Sequence, residues 1–237
     1  MRGGKKMLLN SIFTLLRGGH VDIVEVMLQV VATLLIIFLV LPFHEYAHGW
    51  AANKLGDPTA KWEGRLTFNP LASVEPMGAA ALLLFGFGWA KPVPVDSRYF
   101  KNPRRDMALV ALAGPTANLL ASFVGALLMY AVMAFVPYNT FVYYTVVFFN
   151  YYSFINAVLA VFNMVPIPPL DGSKILASFL SDRARYNFYR YQSVLSMIGL
   201  VLLASSVLDG PISLIENIVY GGVTRLASLP FRLFGLL

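Results

Sequence analysis

The chain has no cysteine among its 237 residues. That excludes a disulfide framework and any thiolate metal site, so a tightly bound transition metal has only histidine and carboxylate to draw on. Charge is scarce too. Charged residues make up 13% and hydrophobic residues 58%, with a mean hydropathy of +0.67, against about 25% charged in an ordinary soluble domain. Histidine occurs three times, at His20, His44 and His48. No internal repeat, low-complexity tract or nucleic-acid motif is present, and the net charge of +6 resides in residues between apolar segments, where it reads as a topology signal. Composition therefore predicts an integral membrane protein with a single helical membrane domain.

The N-terminal stretch carries Arg2, Lys5 and Lys6, but the apolar run after Leu8 breaks at Arg17, Gly18 and Gly19, which argues against a cleaved signal peptide. Residues 1–25 are expected as an interfacial segment. The first strong apolar segment runs from about Val26 to Phe43 and continues as helix toward Leu55, where Gly56-Asp57-Pro58 stops it. From Thr59 to Asn69, Ala60, Trp62, Leu66 and Phe68 alternate with polar residues, a period of two that predicts a short β-hairpin. Pro76 to Ala90 is apolar but spans only roughly 22 Å as a helix, against about 30 Å of hydrocarbon, so it is expected to be re-entrant or peripheral, with a break at Gly86-Phe87-Gly88.

Met107 to Val136 and Phe141 to about Val165 are full-length apolar spans, joined by a turn near Pro137 to Thr140 into an antiparallel hairpin. The second ends in Asn163-Met164-Val165-Pro166-Ile167-Pro168-Pro169-Leu170-Asp171-Gly172, where the prolines forbid regular helix. Broken backbone at membrane depth survives only where protein or a polar cavity satisfies it. A last apolar segment covers about Val194 to Leu208, followed by an apolar tail. The expected architecture is an all-α polytopic membrane protein. A core at 26–190 contains three helices with the small hairpin or re-entrant element after the first. Transmembrane or interfacial helices occupy 191–237.

The run His44-Glu45-Tyr46-Ala47-His48 lies at the end of the first span. Histidines at i and i+4 share one helix face, and a glutamate between two imidazoles that hold zinc can take a proton from water there. Polar groups at the end of a membrane span default to function. The alternative is a pair of histidines bonded to neighbouring helices. A catalytic zinc usually has three protein ligands. His20 lies about 24 residues upstream, up to roughly 36 Å along a helix, so the third ligand is expected to be a carboxylate. Asp171 is the first candidate because it stands on the proline-broken turn, with Glu75 and Glu63 as rivals. Asp171 could instead cap the helix that begins near Ser173.

Together these residues resemble the site-2 proteases, zinc intramembrane proteases that cut transmembrane segments. The likeness rests on His44, Glu45 and His48, on Gly114, Pro115 and Asn118, and on Asn163, Pro166, Pro169, Leu170, Asp171 and Gly172. The stretches Gly88 to Val95 and Asn102 to Arg105 look like the compact bacterial and archaeal branch, without PDZ or CBS domains. In that branch a histidine is expected within Asn69 to Pro76, where this chain has Ser73. The resemblance implies one Zn2+ per chain held by His44, His48 and Asp171, with Glu45 as general base and proton donor. Asn118 and Asn163 become candidates for binding substrate backbone or the oxyanion, or else for helix–helix bonds.

The implied partners are transmembrane protein substrates and membrane lipid, with no nucleic acid. His48 and Asp171 can share an ion only if an even number of crossings separates them, which the two long spans supply. Basic residues at Arg98 to Arg105 and Arg183 to Arg190 then place the zinc end toward the cytoplasm of a prokaryotic plasma membrane, against the charges of Arg2, Lys5, Lys6 and Arg17. The alternatives are a membrane-anchored zinc peptidase using Glu75 or Glu63, and a non-catalytic metal-binding transporter or channel.

Overall fold

The computed structural model describes residues 34–85, 90–205 and 207–236, with positions 20, 27, 30 and 31. The expected interfacial segment at 1–25, with its basic residues, and the break at 86–88 lie outside the described residues, His20 excepted. A wider π-turn, Ile36–Val40, runs straight into α1 (Leu41–Leu55), where the Leu41 N–H reaches back to the Ile36 carbonyl. Gly56 ends α1 at φ 112°, a left-handed conformation that glycine alone adopts freely.

Beyond it come α2 (Thr59–Trp62), α3 (Pro70–Ser73) and α4 (Pro76–Phe85). No strand occurs among the described residues, so the β-hairpin expected at Thr59 to Asn69 is not formed. The alternation is outweighed by local chemistry. The buried Asp57 carboxylate accepts the Thr59 N–H at 3.0 Å and starts α2, while Asn69 accepts the Leu71 N–H at 3.1 Å and starts α3 at Pro70. Between them Phe68 stacks on Tyr46, ring centroids 4.2 Å apart, and so crosses back over α1.

At ten residues, α4 rises about 15 Å, half the hydrocarbon thickness. Residues 91–96 then run without regular structure. Asp57 also accepts the Asp96 N–H at 2.7 Å, the Lys91 N–H bonds the Ser73 carbonyl at 2.8 Å, and Arg65 donates to the Lys91 carbonyl at 2.8 Å. This strap is thereby tied to the segment that follows α1.

Two helices, α5 (Pro103–Phe135) and α6 (Thr140–Asn163), are long and apolar enough to cross a membrane, at the two spans expected. They pack antiparallel through small residues, with Ala121, Ala126, Ala157 and Ala160 buried. A β-carbon on Gly125 would stand 2.8 Å from the Tyr152 ring. The hydroxyl of Ser122 donates to the Ser153 carbonyl and that of Ser153 to the Ser122 carbonyl, both at 2.8 Å. This reciprocal pair fixes the register.

After the proline-rich break come α7 (Asp171–Phe179), α8 (Asp182–Arg190), α9 (Gln192–Ala204) and α10 (Asp209–Leu233). α9, at thirteen residues, overlaps the last apolar segment, and a β-carbon on its Gly199 would meet Ile167 and the Pro168 carbonyl of the break. The apolar tail forms α10, which packs on α5 and α6: Ala227 and Ser228 are buried, and the Tyr220 hydroxyl donates to Asn150 at 2.6 Å.

Candidate metal centre

His44 and His48 stand one turn apart on α1, both buried, with their rings edge to face at 86° and 4.6 Å between centroids. They face the first third of α5. His48 Nδ1 donates to the Val110 carbonyl at 2.7 Å, which fixes the proton on Nδ1 and leaves the Nε2 lone pair presented to the interior. One turn along α5, Gly114 provides the space the rings occupy. A β-carbon there would overlap His48 Nε2 and Cε1 and His44 Cε1, so glycine is required by close approach rather than by backbone conformation.

Asp171 is the first residue of α7, delivered by the break after α6. Gly172 lets that helix start against the Met164 and Val165 carbonyls, where a β-carbon would collide with backbone. Asp171 caps nothing; Leu170 holds the cap position. Its Oδ2 instead lies 3.1 Å from His44 Nε2 and 3.0 Å from His48 Nε2, and those two nitrogens are 3.0 Å apart. Its Oδ1 accepts from Lys174 Nζ at 3.1 Å.

The donor set fits zinc. Nitrogen ligands of a tetrahedral zinc lie roughly 3.3 Å apart when Zn–N is about 2.0–2.1 Å, close to the 3.0–3.1 Å seen here. Three buried donors converging this tightly, one anionic and two imidazole, could hold a metal ion. Among the described residues this is the one group of three or more such donors that could hold a metal. The rivals stand apart: Glu63 and His20 are exposed, and Glu75 accepts the Gly78 N–H at the start of α4.

Glu45, beside His44, has its Oε2 hydrogen-bonded by the Val93 N–H at 2.9 Å. Val93 is flanked by Pro92 and Pro94, which have no N–H, so the single donor of that triplet is spent on Glu45. Sequence reading had no signal for this contact, nor for Val110, whose carbonyl is anonymous in a sequence. Asn118 is fully buried with both amide atoms unpaired, and Asn163 is half-buried with its amide donating to the Leu159 carbonyl at 3.0 Å. Ser73, where a histidine was expected, is buried beside the strap. Next to Phe43, an apolar cavity of about 380 Å3 opens between Phe38, Phe68, Leu120, Val124 and Tyr152.

The profile of peptidase family M50 matches residues 132–206, a stretch that contains Asp171. YwhC of Bacillus subtilis (strain 168), a zinc metalloprotease by name, is 39% identical over 175 residues, covering 72% of this chain and 80% of its own. The chain belongs to peptidase family M50, the site-2 proteases. Rip2 of Mycolicibacterium smegmatis, also a zinc metalloprotease by name, is 30% identical over 177 residues, 71% of this chain and 65% of that one. From Methanocaldococcus jannaschii, MJ0611, again named as a zinc metalloprotease, is 34% identical over 134 residues, 56% of this chain and 63% of its own. No solved structure matches. As an M50 peptidase the chain is a zinc metalloendopeptidase, and the buried His44, His48 and Asp171 are the group that can hold its metal.

Proposed function

We propose that this M50 peptidase cleaves peptide bonds in or near transmembrane segments of other membrane proteins, with Glu45 as its general base. The observation that carries the reading is the meeting of His44, His48 and Asp171 at one end of the two apolar helices, with Glu45 on the adjoining position. Zinc held by these three would supply a Lewis acid that polarises the scissile carbonyl and acidifies water.

The protein's own part is proton handling and orientation. Glu45 takes the proton of the attacking water and returns it to the leaving amine, and the Val93 N–H aims its carboxylate by holding one oxygen. The Val110 carbonyl holds the His48 ring with its Nε2 lone pair toward the site. Asn163, on the last turn of α6, offers its side-chain oxygen to a substrate N–H. The apolar cavity beside Phe43 suits the side chains of a membrane-derived segment.

We place the chain as a multi-pass protein of a prokaryotic plasma membrane with this end toward the cytoplasm. Arg104 pairs with Asp182 at 2.6 Å, which gathers the basic loops around Arg98–Arg105 and Arg183–Arg190 at the metal-bearing end of α5, as the positive-inside rule favours. In a chain free of cysteine, single cysteines at Asn139 and Ser181 should label from opposite sides of the membrane; labelling from the same side rejects this topology.

Co-expression with candidate single-span substrates tests the activity. Glu45→Gln should abolish cleavage while the purified protein keeps one zinc per chain. Cleavage that persists in Glu45→Gln, or zinc that is lost with it, would remove Glu45 from the proposed role.

A further inference from the structure

Among the described residues, six buried side-chain atoms lack a hydrogen-bond partner, and four of them lie on the mutually packed helices α1, α5 and α6: His44 Nδ1, Asn118 Nδ2, Asn118 Oδ1 and Asn156 Oδ1. The other two are arginine nitrogens of Arg65 and Arg185. Buried polar groups are seldom orphaned, and each one left so is costly. These four balance, since His44 Nδ1–H and Asn118 Nδ2 are donors while the two amide oxygens are acceptors.

The helices bring them to one level. Contacts of His48 with Val110 and of His44 with Gly114 set α1 and α5 antiparallel. Asn118 lies one turn past Gly114, on nearly the same face. Because the Cα–Cβ bond tilts toward each helix's own N-terminus, the His44 ring leans along α1 toward the level of Asn118, and Asn118 leans back toward Gly114. His44 Cε1, bonded to Nδ1, already presses on Gly114. On the other side the Ser122–Ser153 register places Asn118 opposite the turn holding Asn156 and Ala157. Asn156 Nδ2 is engaged by the Tyr152 carbonyl at 2.8 Å, which turns its oxygen into the remaining free acceptor.

We propose that Asn118 is a positioning residue for the metal ligand His44: its Oδ1 accepts the His44 Nδ1–H and its Nδ2 donates to Asn156 Oδ1, each directly or through one bridging water. His44 then presents its Nε2 lone pair to the metal, as Val110 arranges for His48, but through a side chain anchored on the third helix. A metal-bound imidazole almost always donates its other N–H to such a partner, and loss of that partner weakens metal affinity about 10- to 100-fold. The inference rests on the zinc-site reading and deepens it.

The test uses full-length, zinc-loaded protein in detergent, labelled with 15N-histidine, which gives only three imidazoles to resolve. Zinc affinity is read by chelator competition, and the Nδ1–H proton of each ligand ring by its chemical shift. Asn118→Leu should weaken zinc binding about 10- to 100-fold and move the His44 Nδ1–H resonance upfield, leaving that of His48 in place. Asn118→Asp keeps an acceptor, so affinity should stay within about threefold of wild type, with the His44 proton shifted downfield. Wild-type affinity in Asn118→Leu with an unmoved His44 resonance overturns the proposal. Should Asn118→Leu fail to fold, an unmoved His44 resonance in Asn118→Asp overturns it equally. Wild-type protein that binds no zinc would defeat the metal-centre reading and this inference with it, an outcome distinct from a zinc-loaded protein indifferent to position 118.

Discussion

Gly114 on α5 lies flush against the imidazole of His44, so close that a single methyl group at its Cα would occupy the same space as ring atoms of both His44 and His48. The ring pair has no room to retreat, being buried and anchored by the Val110 carbonyl on α5 and by Asp171 on α7. Overpacking of this kind costs about 1–3 kcal/mol. Gly114→Ala should therefore lower zinc affinity by about 5- to 150-fold and suppress proteolysis, while circular dichroism reports unchanged helix. Full zinc occupancy at limiting metal would contradict the geometry.

Asp171 and Glu75 offer a clean contrast. Removing the carboxylate of Asp171 leaves two imidazoles with no anion to complete the set, so Asp171→Ala should reduce zinc affinity more than the roughly 100-fold upper range for an outer-shell partner. Glu75→Ala should leave metal content untouched, because that carboxylate bonds the first turn of α4 instead. Metal analysis of the two purified variants decides between them.

Val93→Pro deletes the N–H that orients Glu45 and leaves the side chains of His44, His48 and Asp171 in place. A hydrogen bond to a charged group contributes about 1.5–3 kcal/mol, so kcat should fall by about tenfold or more with zinc content retained. Steady-state kinetics on a cleavable reporter substrate would show it; an unchanged kcat removes the strap from the chemistry.

Asp57→Ala should lower stability. The carboxylate is fully buried and accepts the Thr59 and Asp96 N–H groups, so its loss should cost about 3 kcal/mol, on the scale of hydrogen bonds to charged groups. Thermal unfolding in detergent measures the drop.

The convergence of His44, His48 and Asp171 was legible because the composition leaves so little choice: with cysteine absent and three histidines in all, i,i+4 spacing and a carboxylate on a broken turn nominate these three, with Glu75 and Glu63 as the remaining carboxylates weighed. The two long helices were legible from length and hydropathy. The Thr59–Asn69 element was misread because a two-residue alternation over so short a stretch competes poorly with Asp57 and Asn69, whose side chains start helical turns at either end. Trp62 and Phe68, apolar positions of that alternation, are 69% and 59% exposed. The Val93 and Val110 contacts use backbone groups, which carry no signature in side-chain identity. Asn156 could have been noticed as a polar residue inside an apolar span, but only the register set by Ser122 and Ser153 gives it a neighbour.

The imidazoles and the carboxylate that converge here are separated by 123 and 127 positions in the chain. An ion at their junction is therefore also a staple, closing a loop of more than half the polypeptide, and its binding energy becomes part of the energy of folding. Stripping the metal should lower the thermal midpoint and loosen the packing of α7 on α5, so that a peptidase starved of zinc would be at once inactive and more exposed to degradation.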